Sequence, residues 1–102
     1  MGLKVYWTET SINKLEDIFD YYKTNAGIDV ARKIVDSIID ATIALENQSR
    51  IGQPEELLKH RDLEYRYLVE GNYKIIYWIE EPLVKIATVF DCRQNPVKMK
   101  LL

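Results

Sequence analysis

The sequence contains very few of the soft metal ligands, cysteine and histidine, and of the cysteines that form cross-links. Among its 102 residues there is one cysteine, Cys92, and one histidine, His60. A lone cysteine cannot form an internal disulfide, and two such ligands fall short of the three or four that a zinc site takes from the protein. The sequence therefore excludes structural zinc, and we expect no metal and no cofactor.

Long hydrophobic runs are also missing. No apolar stretch approaches the roughly 18 residues that a membrane span requires. The opening residues 1–10 contain no positively charged segment followed by a long apolar run, as a signal peptide would. We therefore expect a cytoplasmic protein with no membrane partner. A chain of 102 residues, 47% of them hydrophobic, suffices for a single compact domain over residues 1–102.

The chain has no overall excess of positive charge. Its formal net charge is −2, whereas binding nucleic acid by bulk electrostatics requires several clustered cations. The distribution is uneven, because residues 1–49 carry five basic and eight acidic side chains. Residues 91–102 instead carry Arg93, Lys98 and Lys100 against one acid, Asp91. The end of the chain is therefore locally basic.

The first half of the sequence predicts one strand followed by two helices. Apolar residues alternate over Leu3–Trp7, which is typical of a short strand, and Thr8 is a candidate helix N-cap. Helical spacing of apolar residues then runs from Ile12 to Tyr22 and from Ala31 to Leu45. Gly27, between them, is a natural left-handed residue for ending a helix. So short a connection predicts an antiparallel helical hairpin.

The second half predicts a loop followed by three strands. Residues 47–63 are polar without a sustained period, so we expect a loop with a short turn at Glu55–Leu58. Three aromatic and β-branched runs follow, at Tyr65–Glu70, Tyr73–Glu80 and Leu83–Asp91. Gly71-Asn72, between the first two, is a hairpin signal. The predicted fold class is α+β, ordered β-α-α-β-β-β, with the helical hairpin packed on one face of an antiparallel sheet.

Both faces of the predicted sheet are rich in large side chains. Tyr73, Ile75 and Tyr77 share one face, whereas Ile76 and Trp78 lie on the other beside Lys74. The helices can cover only one face. A domain of this size has nothing left to cover the second fully, so some large side chains there should be exposed for a partner.

The order of elements, together with three blocks of sequence, resembles the RelE/ParE toxin superfamily. The blocks are Val5–Thr8, Tyr65–Tyr77 and Val89–Pro96. The resemblance covers nearly the whole chain and implies the toxin of a type II toxin–antitoxin system, of the kind linked to growth inhibition and plasmid stabilization. It implies neutralisation by a cognate antitoxin, which we place at Trp78, Ile76 and Lys74. A homodimer and a heterotetramer with the antitoxin both stay open.

The resemblance leaves two targets open. RelE-like members are mRNA interferases that act on the ribosome. Such a nuclease needs a proton acceptor for the ribose 2′-OH, a cation for the phosphorane and a donor for the leaving oxygen. The candidates are Arg93 at the end of the last strand, Arg66 on the second strand and His60 in the long loop. Each also has a purely structural interpretation: Arg93 paired with Asp91, Arg66 with a neighbouring glutamate, and His60 solvated.

ParE-like members inhibit DNA gyrase without hydrolysing a substrate, so they need no catalytic set. The acidic net charge fits this mode of action. Two departures from RelE-like relatives also fit it, because Met99 stands where those relatives carry a tyrosine and Val69 where they carry an arginine. We therefore favour a gyrase inhibitor over a ribosome-dependent endoribonuclease, and whether the chain is an enzyme stays open.

Overall fold

The computed structural model of the chain describes residues 2–94. Within this part the chain forms two α-helices and one five-stranded sheet. In chain order the elements are β1 Lys4–Trp7, α1 Glu9–Ala26, α2 Ile28–Ile43, β2 Gln53–Pro54, β3 Arg66–Glu70, β4 Tyr73–Glu80 and β5 Leu83–Asp91. Short 3-10 turns lie at Ala44–Glu46 and at Glu56–Leu58. The predicted α+β order is confirmed, and the two-residue β2 is an addition to it.

The strands lie side by side in the order β1-β5-β4-β3-β2. The predicted meander of β3, β4 and β5 is antiparallel, whereas β1 runs parallel to β5. The sheet is therefore mixed rather than purely antiparallel. Parallel neighbours need a long connection, and the helical hairpin lengthens the path from β1 to the meander.

Thr8 fixes the start of α1 to the sheet. Its hydroxyl oxygen accepts a hydrogen bond from the Ser11 N–H at 3.3 Å, which confirms the predicted N-cap. The same hydroxyl lies 2.6 Å from the carbonyl oxygen of Ile86 and donates to it. The chain can therefore leave β1 and enter the helix at once, beside the middle of β5.

Gly27 alone separates the two helices. It has φ 100° and ψ 160°, and it caps the end of α1 and the beginning of α2. Its φ is positive, as the sequence indicates, but its ψ is extended rather than left-handed helical. Only glycine occupies this region readily, because a Cβ atom would clash with the backbone. A one-residue connection lets the helices pack directly against each other as a hairpin.

The main core lies between the helical hairpin and one face of the sheet, here called the helix side. Ile75, Tyr77 and Ile86 are completely buried there. A register shift between Ile76 and Tyr77 leaves Ala87 as an extra residue in β5. Because such a bulge inverts the alternation of side chains, Ile86 before it and Val89 after it both join the helix-side core.

The opposite face of the sheet is only partly covered. Leu58, from the loop between β2 and β3, is buried against Ile76 and Phe90 in a small second cluster. Farther out on this face, Val69 is 60% exposed and Trp78 is half-buried. The expectation of an incompletely covered second face is confirmed, with the loop covering part of it.

Candidate binding and catalytic residues

Arg93 lies just beyond β5 and is held in a two-point ion pair. Its Nε and Nη2 atoms donate to the two carboxylate oxygens of Asp91 at 2.9 and 2.8 Å. These hydrogen bonds hold the pKa of the Asp91 carboxyl below its ordinary value. The structural interpretation of Arg93 is therefore the arrangement observed, although the side chain remains about half exposed.

Arg66, at the start of β3, fastens a loop to the sheet. Its Nη1 donates to the carbonyl oxygen of Gly52 at 2.9 Å, and its Nη2 lies 2.8 Å from a carboxylate oxygen of Glu64. The side chain is only 17% exposed. Its donors are directed mainly at the protein, so little of this cation faces solvent.

The three nuclease candidates are not brought to one point. In the strand register, Arg66 lies opposite Tyr77 of β4. Asp91, which forms the ion pair with Arg93, lies opposite Tyr73 of the same strand. The backbones of Arg66 and Asp91 are therefore roughly 16 Å apart, because the two residues are separated by four residues along β4 and by two strand spacings across the sheet. His60 is exposed in the turn after Glu56–Leu58, which packs on the opposite face through Leu58.

The structure reveals a tyrosine beside Arg93 that sequence reasoning missed. The Tyr22 hydroxyl of α1 lies 3.4 Å from the Tyr73 hydroxyl and 3.4 Å from Nη2 of Arg93, and both groups donate to it. These two hydrogen bonds lower the pKa of Tyr22, while burial raises the pKa of Tyr73. In the sequence Tyr22 is one member of an apolar helical stripe, and its partners lie 51 and 71 residues away. Only the fold brings them together.

The three residues expected to meet an antitoxin differ in accessibility. Ile76 is completely buried beside Leu58, so its side chain is not available at the surface. Lys74 is partly exposed, and its Nζ lies 3.1 Å from a carboxylate oxygen of Glu55. Trp78 packs edge-to-face against Tyr65 with ring centroids 5.9 Å apart and is half-buried. Ile76 differs from the other two in its accessibility, because sequence alternation cannot foresee that a distant loop covers it.

A groove of about 1020 Å³ runs between α1 and the second half of β5. Ile18 and Tyr21 of α1 line it on one side, and Trp78 lines it on the other. Val89 and Phe90 of β5 form its floor. Trp78 is therefore the one predicted antitoxin contact that also lines this groove.

Neither a membrane-spanning helix nor a cluster of metal ligands is found within residues 2–94. No described helix is long and apolar enough to cross a membrane. The same residues contain no group of three or more His, Cys, Asp or Glu side chains placed to hold a metal ion. Met99, where the sequence departs from RelE-like relatives, lies outside the described residues, as do Lys98 and Lys100 of the basic chain end.

A helical hairpin on a mixed sheet, with this order of elements, defines an α+β protein of the RelE/ParE type. The family model described as the ParE toxin of the type II toxin–antitoxin system parDE matches residues 5–96. The chain therefore belongs to the ParE toxin family. No curated protein sequence matches it significantly.

Two solved structures are similar to the chain in fold. One, the chromosomal ParDE toxin–antitoxin system from P. aeruginosa, superposes with a TM-score of 0.73 at 19% identity, covering 87% of this chain and 95% of that one. The other, the RelBE2 toxin–antitoxin complex from Mycobacterium tuberculosis, has a TM-score of 0.64 at 19% identity, covering 89% and 99%. At this identity the similarity concerns the fold alone.

Proposed function

We propose that the chain arrests growth by inhibiting DNA gyrase without catalysing a reaction, and that a cognate antitoxin neutralises it. The observation that carries this proposal is the two-point ion pair between Arg93 and Asp91. The pair occupies the position at which a nuclease of this superfamily is expected to present a cation to RNA. Because gyrase acts on DNA inside the cell, the proposal also puts the chain in the cytoplasm.

The ion pair weakens the case for RNA cleavage for an electrostatic reason. The lowered pKa of Asp91 keeps its carboxyl ionised at neutral pH. A phosphate approaching Arg93 would meet this carboxylate within a few ångströms, where repulsion from the acid offsets attraction to the guanidinium. Arg66 lies far from this point, and its donors are directed at Gly52 and Glu64. Inhibition by binding needs none of these groups to be free.

The direct test combines a cellular and a purified assay. The chain is induced alone in a bacterial host, and DNA and protein synthesis are followed by pulse labelling in the first minutes. We expect DNA synthesis to fall first, and purified chain to block supercoiling by gyrase. Arg93→Ala and His60→Ala should both leave growth arrest intact. Unchanged supercoiling at a large excess of chain, with protein synthesis falling first, contradicts the proposal.

Ribosome-dependent mRNA cleavage is the second candidate, and one observation favours it. Tyr22, with its lowered pKa, contacts the exposed guanidinium of Arg93. A tyrosine whose pKa is lowered, lying beside a cation, is a candidate proton acceptor for a ribose 2′-OH. Tyr22→Phe removes the hydroxyl, and Tyr21→Phe is the matched control on the same helix. Growth arrest that is lost only in Tyr22→Phe, together with early loss of protein synthesis, favours cleavage; arrest retained in both variants counts against it.

For the antitoxin, we propose a contact surface centred on Trp78 and Lys74, with Ile76 supporting it from beneath. Trp78 is a large aromatic side chain that is only half-buried, which is typical of residues that dominate protein interfaces. Trp78→Ala should weaken the complex about tenfold or more. A titration measured by calorimetry checks this, and the mass of the complex distinguishes a heterodimer from a heterotetramer.

A further inference from the structure

The loop between β2 and β3 consists of a base and a tip. In the base, residues 53–55 run beside residues 65–67. β2 pairs there with β3, and the Glu55 N–H donates to the Tyr65 carbonyl oxygen at 2.9 Å. Residues 56–64 form the tip, which includes the 3-10 turn Glu56–Leu58. The base and the tip are attached to the rest of the protein in different ways.

Side chains of the sheet hold the base of the loop in place. The Tyr77 hydroxyl accepts a hydrogen bond from the Gly52 N–H at 3.0 Å, and Arg66 donates to the Gly52 carbonyl oxygen at 2.9 Å. Lys74 forms an ion pair with Glu55, whose side chain is only 3% exposed. A Cβ atom at Gly52 would overlap the Tyr77 hydroxyl, so the chain passes directly against this strand. The base is therefore fixed to the sheet at several points.

The tip, in contrast, buries a single side chain. Leu58 is 1% exposed and packs against Ile76 and Phe90, whereas the other residues of the tip are exposed. Backbone hydrogen bonds inside the turn, such as that from the Lys59 N–H to the Glu56 carbonyl oxygen at 3.3 Å, maintain the shape of the turn itself. The apolar contact of the tip with the sheet therefore depends on Leu58.

Contacts between the tip and the base are local in sequence. The Leu57 N–H donates to the Glu55 carboxylate at 3.3 Å, and Glu64 forms an ion pair with Arg66. Each contact joins residues two positions apart, so both can be kept when the tip moves as a unit. The chain can therefore bend at residues 55–56 and 64–65, where the fixed base meets the tip.

The magnitudes separate a movement of the tip from unfolding of the whole protein. Burial of one leucine side chain favours the closed position of the tip by about 10- to 150-fold. A small folded domain is favoured over its unfolded state by about 10³- to 10⁸-fold. The tip can therefore leave the sheet many times for each global unfolding event.

We propose that residues 56–64 form a hinged lid that opens as a unit and controls access to Ile76. In the closed state Ile76 is completely buried beneath Leu58. Opening uncovers an apolar patch that continues through Tyr65 to the half-buried Trp78. A partner that contacts Ile76 directly binds only the open state, so the closed lid weakens its apparent affinity by the same factor of about 10 to 150.

A thiol introduced beneath the lid tests this inference on the full chain. Cys92 is exposed, so it is first replaced by serine. Ile76→Cys then places a thiol beneath Leu58. Ile75→Cys is the matched control, because Ile75 is the next residue of the same strand, is equally buried and belongs to the helix-side core. The rate of reaction of each thiol with excess dithionitrobenzoate is measured with and without dilute urea.

The two thiols should react by different routes. We expect Ile76→Cys to react at least about tenfold faster than its own global unfolding allows, as calculated from its urea denaturation curve. This rate should change little in dilute urea, because opening the lid exposes little surface. Ile75→Cys should react at the rate set by global unfolding, with the full dependence on urea. Reaction of both thiols at the rate of global unfolding overturns the proposal.

A second pair of variants tests whether Leu58 holds the lid closed. In the Ile76→Cys background, Leu58→Ala should speed the reaction about tenfold or more. Leu57→Ala, in the same turn at a residue that is 37% exposed, should change the rate by about twofold or less. Circular dichroism checks that both variants are folded. Equal effects of the two substitutions overturn the lid as the barrier to reaction at this position.

Amide hydrogen exchange locates the hinge. The N–H groups of Gly52 and Glu55 bond to Tyr77 and Tyr65 in the base, so they should exchange only as slowly as the central strands do. Fast exchange at these two positions, accompanying fast reaction of Ile76→Cys, would mean that the whole loop detaches. That result overturns the hinge at residues 55–56 and with it the lid as defined.

Discussion

The two faces of the sheet differ in how completely they are buried. On the helix side, Ile75, Tyr77 and Ile86 have no exposed surface, because two helices cover the sheet. On the opposite face Leu58, from the loop between β2 and β3, covers Ile76, while Val69 is largely exposed. The helix side therefore supplies most of the folding free energy, whereas the opposite face keeps large side chains at the surface.

The largest effect should come from a helix-side truncation. Ile86→Ala removes a completely buried side chain from the core between the helices and the sheet, so we expect a loss of about 3–4 kcal/mol in unfolding free energy. Val69→Ala on the exposed part of the opposite face should cost about 0.5 kcal/mol or less. Urea denaturation of both variants provides the measurement. Similar losses of unfolding free energy in the two variants would contradict the conclusion that the helix side contributes more to stability than the opposite face.

A smaller effect is expected within the second cluster. Leu58→Ala should cost about 2 kcal/mol, because the loop can relax around the missing side chain more easily than the central strands can. It should also expose Ile76, making residues 55–65 easier for a protease to cut. Limited proteolysis and denaturation together check this. A loss as large as that of Ile86→Ala would mean that the loop cluster is a second core of equal weight.

The smallest effect is a dependence on alkaline pH located on the helix side. Burial raises the pKa of Tyr73 and of Tyr77 above their ordinary value of 10.0, so folding favours their neutral forms. Stability is therefore unaffected by these groups below about pH 10 and falls as the pH rises further. Tyr77→Phe should flatten this decline, although it also removes the hydrogen bond to the Ser49 carbonyl oxygen. Unfolding free energies between pH 8 and 11, measured relative to each protein's own value at the lower pH, reveal the change of slope.

Local patterns in the sequence were sufficient to predict the order of the helices and of every strand except β2. The helical hairpin, the N-cap at Thr8 and the meander of β3 to β5 each follow from spacing, capping or turn chemistry among residues close in sequence. The same holds for the ion pair of Arg93 with Asp91, since the two residues are neighbours at a strand end. These features required no knowledge of the distant chain.

Candidate sites were less predictable, because they depend on contacts between distant segments. The burial of Ile76 depends on a loop residue 18 positions earlier, and the contact of Tyr22 with Arg93 joins a helix to the end of the last strand. β2 has only two residues, too few to show a period, and it forms by pairing with β3.

The sequence by itself determined the class of fold and the family, because periodicity, capping residues and the hairpin turn act over a few residues and agree with one another. The tertiary structure alone decided which large side chains stay accessible and where the sheet is open. The burial of Ile76 depends on the loop that carries Leu58, and the unpaired part of β5 depends on the pairing of β1 with Leu83–Ile86 alone. Neither follows from a local pattern, because both join segments that are distant in sequence.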